Sequence, residues 1–378
     1  MRTGMKKNCR KKVAVVVSLL LTCALFSGCT KKEESTEAST TAEAEEEKKL
    51  FSEGVDTPIE ITGYEKFKGT DASSFLKEGD KVAVISPSAL PTREQTDATI
   101  KGLKEWGYIP VEGKYVCTVD RTLDNCREDL EWALKDPGIK GIFCVRGGYA
   151  ACEVMEVMDR NLIAETKKPI IGYSDITACH SAWNREGVLS IHASMSAAFT
   201  GLPEECAEAE RKMLQGEIPS YKCAGSEYDN QGTAEGILIG GNPTILMTVA
   251  NTAYDSTKLD QPYILFLEDV ECDYHQVHYA MTVLKNNGVL EHASGIVLGE
   301  WIDTDPEQAD YTGDSRGGKF RSVYDMLYRQ FLKDLDIPIA YGFPGGHGEK
   351  NYPLLLGEKA RLGVTQDSFT LEWPDAHK

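Results

Sequence analysis

The chain has 378 residues, 41% hydrophobic and 26% charged, which is material for two ordinary domains and excludes a mainly disordered or fibrous protein. Its 41 Lys and Arg face 59 Asp and Glu, a formal charge of −18. So acidic a chain repels phosphate backbones, and no nucleic-acid partner is expected.

In chain order, the first segment reads as an address. Arg2, Lys6, Lys7, Arg10, Lys11 and Lys12 form a basic head free of acids, and Val13 to Phe26 is an apolar run. That run is shorter than the roughly 20 residues a spanning helix needs. Ser27-Gly28-Cys29 then resembles the end of a bacterial lipobox, with Phe26 where Leu is usual. The expectation is a signal peptide over residues 1–29, lipidation at Cys29, and an extracytoplasmic protein anchored to the bacterial membrane by that lipid. Simple secretion and an uncleaved anchor are the alternatives. Residues 30–55 read as an acidic, solvated tether. Thr30 to Lys49 holds no aromatic residue and cannot bury enough apolar surface to fold.

Eight cysteines remain beyond this address: Cys117, Cys126, Cys144, Cys152, Cys179, Cys206, Cys223 and Cys272. An exported chain with an even count can form disulfides, whereas Cys144 and Cys179 lie in apolar stretches where a free thiol behaves as a small hydrophobe. The sequence leaves the pairing open. It contains no Cys-x-x-Cys pair, which argues against a zinc ribbon.

From Asp80 short apolar runs alternate with amphipathic segments. Lys81–Pro87 reads as a strand, Thr92–Trp106 and Cys126–Leu134 as helices, and Gly141–Val145 as a buried strand ending in Arg146-Gly147-Gly148-Tyr149. A helix over Glu153–Arg160, a strand over Pro169–Tyr173 and a helix over Asp175–Asn184 follow. This alternation predicts a parallel sheet with covered faces, whose ligands gather at the carboxyl ends of strands. Residues 200–235 read as a polar, irregular connection. Beyond them come strands near Gly236–Ile239, Tyr263–Leu267, Gly295–Leu298 and Ile337–Tyr341, with helices over Tyr274–Lys285 and Val323–Leu335.

Ser174 stands between a strand and a helix start, where a tight turn projects a nucleophile and free N–H groups favour an oxyanion. Its surroundings lack the second Gly of a Gly-x-Ser-x-Gly elbow, and Ser174 also reads as a plain N-cap. Gly147 and Gly148 can bring backbone N–H groups to a ligand or simply form a turn. Arg146 faces either a substrate carboxylate or an acid of the body. His347 lies in a glycine-rich loop, a common place for catalytic groups, and a structural role fits it equally. Glu268, at the end of an apolar strand, can orient a histidine or cap the strand in solvent. His275 and His278 beside Glu268, Asp269 and Glu271 invite a metal reading, which the absence of a His-Glu-x-x-His pattern opposes.

Taken in order, these segments resemble the LD-carboxypeptidase family of serine peptidases, which includes muramoyltetrapeptide carboxypeptidases and microcin C self-immunity peptidases. The landmarks are Val82–Pro87, Cys144-Val-Arg-Gly-Gly-Tyr149, Pro169-Ile-Ile-Gly-Tyr-Ser-Asp-Ile-Thr177, Gly236-Ile-Leu-Ile-Gly-Gly-Asn242, Leu265-Phe-Leu-Glu-Asp269, Gly295-Ile-Val-Leu-Gly299 and Gly342-Phe-Pro-Gly-Gly-His347. The resemblance implies an α/β fold: an N-terminal parallel-sheet α/β domain over residues 56–205, a linker over 206–230, and a β-rich α+β C-terminal domain over 231–378. The active site is expected at their junction, often in a homodimer.

It implies Ser174 as nucleophile, His347 as base, Glu268 as the acid orienting it, and an oxyanion hole from the N–H groups of Gly148 and Asp175. Arg146 and Gly147 are expected at the substrate, with no metal or other cofactor. The expected substrates are peptidoglycan stem peptides or muropeptides, with D-Ala leaving a tetrapeptide. The alternatives are a peptide–nucleotide amidase of the same family and a non-catalytic, wall-fragment-binding lipoprotein. Two departures stand out: Ala150 replaces the last Gly of the family's Arg-Gly-Gly-Tyr-Gly, and residues 301–321, with Asp303, Asp305, Glu307 and Asp310, read as an acidic insertion.

Overall fold

The computed structural model describes residues 52–68, 74–304 and 320–374. The expected signal peptide with Cys29, the tether up to residue 51, and Asp305, Glu307 and Asp310 of the acidic insertion lie outside the described residues. Among the described residues the strands are β1 (Ile59–Lys66), β2 (Lys81–Ile85), β3 (Ile109–Glu112), β4 (Ile139–Cys144), β5 (Ile170–Gly172), β6 (Ser190–His192) and β7 (Glu217–Ala224). They continue with β8 (Gly232–Gly241), β9 (Tyr263–Val270), β10 (Ala293–Ile302), β11 (Ile339–Tyr341), β12 (Leu354–Leu356), β13 (Lys359–Val364) and β14 (Ser368–Glu372).

These strands form two sheets in a mixed α/β arrangement. The smaller runs β12-β6-β5-β4-β2-β3, and every pair in it is parallel except β12 with β6. Its strands are continuous apolar runs because helices and the second sheet cover both faces: Val82 to Ile85 and Ile142 to Cys144 are fully buried. Helices are placed by local chemistry. Thr92 and Gln95 form a capping box that starts the helix Arg93–Glu105, and Thr122 with Asn125 does the same for Leu123–Lys135.

The larger sheet runs β1-β7-β14-β13-β8-β9-β10-β11. Its β8–β11 portion is parallel and its β1-β7-β14-β13 portion antiparallel, so the C-terminal half is β-rich but not purely antiparallel. The chain crosses between sheets once it has passed His347. Leu354 to Leu356 pair with His192 to Ser190 of β6, and after a turn at Gly357 the chain joins the larger sheet as β13 beside β8. This crossover fixes the two halves against each other.

Three expectations change. Residues 206–230 are not an irregular linker, since they hold most of the helix Glu204–Leu214 and all of β7. The polar residues there are the outer face of ordered elements; Cys206, Ala209, Met213, Leu214, Ile218, Tyr221 and Cys223 are buried beneath them. β1, assigned by sequence to the N-terminal domain, pairs with β7 in the larger sheet. Residues 52–55, taken as the end of the tether, are tied down: Glu53 and Trp301 exchange two backbone hydrogen bonds of 2.9 and 3.0 Å. The eight body cysteines are all free thiols.

Candidate functional site

Ser174 follows β5 after one intervening residue, Tyr173, and begins a short 3-10 turn, Ser174–Ile176, that runs into the helix Thr177–Arg185. Its φ is +62°, a left-handed conformation that costs a non-glycine residue roughly 1–3 kcal/mol and is found at functional turns. The strand-to-helix elbow therefore exists without the second glycine, and the strain falls on the serine itself. This geometry turns the N-cap alternative into something more, because the residue is held out of the ordinary helix-start conformation.

His347 and Glu268 are brought together. His347 Nδ1 donates to Glu268 Oε2 at 2.6 Å, a charge-assisted distance. A carboxylate only accepts, so the proton sits on Nδ1 and the Nε2 lone pair is left for another partner. Glu268 lies on β9 and is fully buried. The loop can reach it because Gly346 has a φ of +129°, and a side chain there would sit 2.5 Å from Glu268 Oε2. Burial is the largest influence on Glu268 and would raise its pKa, but the neighbouring His347 and His192 outweigh it and hold it low. For His347, burial would lower the pKa, yet the charge and hydrogen bond of Glu268 prevail and raise it.

Ser174 and His347 line one open cleft of about 270 Å³, together with Arg146, Gly147, Gly148, Tyr173, Met195 and Ser196. Tyr173 connects the two halves: its ring centroid is 4.8 Å from that of His347. Among the described residues no hydrogen bond joins Ser174 Oγ to the His347 ring. Gly147 packs closely on the serine, so that a methyl group there would lie 3.1 Å from Oγ. Gly148 has a φ of +124° and passes Ala89, where a side chain would collide at 2.5 Å. Arg146 is exposed and donates to the Leu90 carbonyl at 3.1 Å, and no ion pair joins it to an acid among the described residues. Among the described residues lining this cleft it carries the only permanent positive charge.

Asp175, expected to act through its N–H, also has a buried side chain that ties the cleft's loops together. Its Oδ2 accepts from Ser88 Oγ at 2.5 Å and from the Ala151 N–H at 2.9 Å. Burial pushes its pKa up, and those two hydrogen bonds oppose the rise. Ala150 keeps a φ of +85°, so the residue that departs from the family's glycine still adopts the left-handed turn. His275 and His278 belong elsewhere, lining a separate cavity of about 210 Å³ with Tyr274 and Tyr279.

Two residues at the site escaped the sequence reading. His192 ends β6, is fully buried, and places Nε2 3.8 Å from Glu268 Oε1, beyond hydrogen-bond range. Its only sequence signal was a polar residue closing an apolar run. Glu300, on β10, is also fully buried, and its Oε2 accepts from the Gly348 N–H at 2.9 Å. The signal available was an acid between the apolar strand Gly295–Leu298 and Trp301.

Comparison with known proteins gives the family. Residues 82–193 match the LD-carboxypeptidase N-terminal domain and residues 235–362 the LD-carboxypeptidase C-terminal domain. The murein tetrapeptide carboxypeptidase of Pseudomonas aeruginosa is 26% identical over 297 residues, 75% of this chain and 92% of that protein. Among solved structures, the muramoyltetrapeptide carboxypeptidase from Oxalobacter formigenes superposes with a TM-score of 0.67 at 23% identity, covering 77% of this chain and 97% of that one. MccF in complex with glutamyl sulfamoyl guanosine gives 0.66 at 20%, covering 79% and 98%. Both structural likenesses carry the two-domain fold. With both domains of the family matched across most of the described body, the chain belongs to the LD-carboxypeptidase family and is a serine carboxypeptidase.

Proposed function

We propose that this protein hydrolyses the amide bond between an L-configured centre and a terminal D-amino acid, releasing D-Ala from the tetrapeptide stem of peptidoglycan. The observation that carries the mechanism is the 2.6 Å bond from His347 Nδ1 to buried Glu268, in a histidine that shares a cleft with the strained Ser174. The murein substrate comes from the relatives' activity. Ser174 Oγ attacks the carbonyl carbon and its proton passes to His347 Nε2, leaving an imidazolium that Glu268 stabilises. The N–H groups of Gly148 and Asp175 receive the oxyanion, and Arg146 takes the terminal carboxylate at the mouth beside Gly147. Collapse of the tetrahedral intermediate breaks the C–N bond, His347 returns its proton to the departing amine, and water then hydrolyses the acyl-enzyme.

Incubating wild type and Ser174→Ala with disaccharide tetrapeptide, followed by mass spectrometry, tests this reading. Wild type removes one alanine and Ser174→Ala is at least about 10³-fold slower. Equal release by both would remove Ser174 from the mechanism. Release only from acyl-sulfamoyl nucleotides would move the substrate to the peptide–nucleotide alternative. The basic, apolar and Ser27-Gly28-Cys29 segments support a lipid anchor at Cys29 that holds the enzyme outside the membrane. Cys29→Ser should then leave the membrane fraction, and retention there would contradict the anchor.

A further inference from the structure

His347 sits in the middle of a loop, Gly345–Gly348, that contains three glycines and gains little rigidity from its own side chains. One residue of β10 holds both ends of that loop. The Glu300 main-chain N–H donates to the Gly345 carbonyl at 3.2 Å, and the Glu300 carboxyl accepts from the Gly348 N–H at 2.9 Å. The fit is close: a methyl group on Gly348 would lie 2.1 Å from Glu300 Oε2. Between those two bonds the main chain is also tied by the Gly346 N–H, which donates to Asn351 Oδ1 at 3.0 Å. Glu268 holds the His347 ring while Glu300 holds the backbone that carries the ring, so two buried carboxyl groups on β9 and β10 share one histidine.

We propose that Glu300 is a positioning residue for His347, clamping the Gly345–Gly348 loop from a single point on β10 so that the imidazole faces Ser174 without searching. This rests on the reading of His347 as the base. Glu300 is fully buried and does not line the cleft that holds Ser174 and His347. Its other oxygen, Oε1, is buried without a hydrogen-bond partner, a cost that an apolar residue would avoid. The charged groups that act on it are Glu268, Lys350 and Asp56. Burial raises its pKa most and the charge of Glu268 adds to the rise, while the Gly348 N–H and Lys350 oppose it, leaving it pushed up to about 8.

The test compares Glu300→Gln with Glu300→Met in the full chain. Both lack the charge, and only Gln keeps an oxygen for the Gly348 N–H. Met also removes the unpaired oxygen, so the fold tolerates it, which thermal melting checks. With tetrapeptide, the Met variant is expected to lose roughly 10- to 100-fold in kcat with KM within about twofold, and the Gln variant to stay within about threefold of wild type. The His347 ring, titrated by NMR without substrate, is expected to keep its raised pKa in Gln and drop in Met. A Met variant equal to wild type in both readouts, or Gln and Met falling together, would overturn the clamp. If wild type releases no D-Ala, the substrate reading fails, and the NMR arm decides the clamp by itself.

Discussion

At Glu268 burial and charge pull in opposite directions, and the balance sets the pH behaviour of the site. Burial would raise its pKa, but His347 and His192 hold it low, so it stays ionised through the neutral range. In return its charge overcomes the burial of His347 and raises that group above the ordinary 6.5. In the proposed mechanism the imidazole accepts the serine proton only when neutral, so kcat/KM should fall as pH drops through a midpoint above 6.5. In Glu268→Gln the largest raising influence disappears and only the weaker ones of Asp269 and Glu271 still oppose burial, which moves the acid limb to lower pH and lowers kcat by roughly 10²- to 10⁴-fold. A pH–rate profile of both proteins checks the sign, and an unchanged limb in the variant would detach Glu268 from His347. The coupling also affects folding. The lowered Glu268 stabilises the fold above its ordinary 4.5 and loses that contribution as pH falls. The raised His347 contributes below 6.5 and loses its contribution as pH rises through its folded value.

Among the elements, those with strong local signals were legible before folding. Thr92 and Trp106 bracket the helix Arg93–Glu105 as its caps, and the strand at Tyr263–Leu267 continues three residues further as β9. Ser174, His347 and Glu268 were each ambiguous in isolation; family resemblance joined them, and the fold brings His347 and Glu268 into contact and sets Ser174 in the same cleft. The short strands β6 and β12, with three residues each, carry too little periodicity to be read, because long-range pairing makes them. β7 is missed for a related reason: its alternation covers a single face, and its polar positions Glu217, Ser220 and Lys222 look like loop. The C-terminal strands depend on one such distant contact. Trp373, just after β14, is fully buried and donates from Nε1 to the Leu355 carbonyl of β12 at 2.9 Å. Trp373→Ala should cost about 3–5 kcal/mol in denaturant unfolding, and a loss below about 1 kcal/mol would mean that β12 is held without it.

Across the whole molecule, the two sheets supply complementary halves of the cleft. Ser174, Asp175 and Gly148 leave the carboxyl ends of β5 and β4, while Glu268 ends the apolar stretch of β9 and His347 follows β11. Neither sheet holds the full set. His192 on β6 and its partner Leu354 on β12 lie where the halves meet, with His192 stacked edge-on against Phe266 of β9 at 5.1 Å between centroids. The crossover through β12 thus serves both stability and the placement of His347 beside Ser174. The most direct measurement of this account is covalent trapping with a fluorophosphonate, which reacts with an activated serine, followed by peptide mass mapping. The account predicts a single adduct on the peptide carrying Ser174, absent in Ser174→Ala and formed at least about 10²-fold more slowly in His347→Ala. An adduct on another residue, or labelling of Ser174 at the same rate without His347, would contradict it.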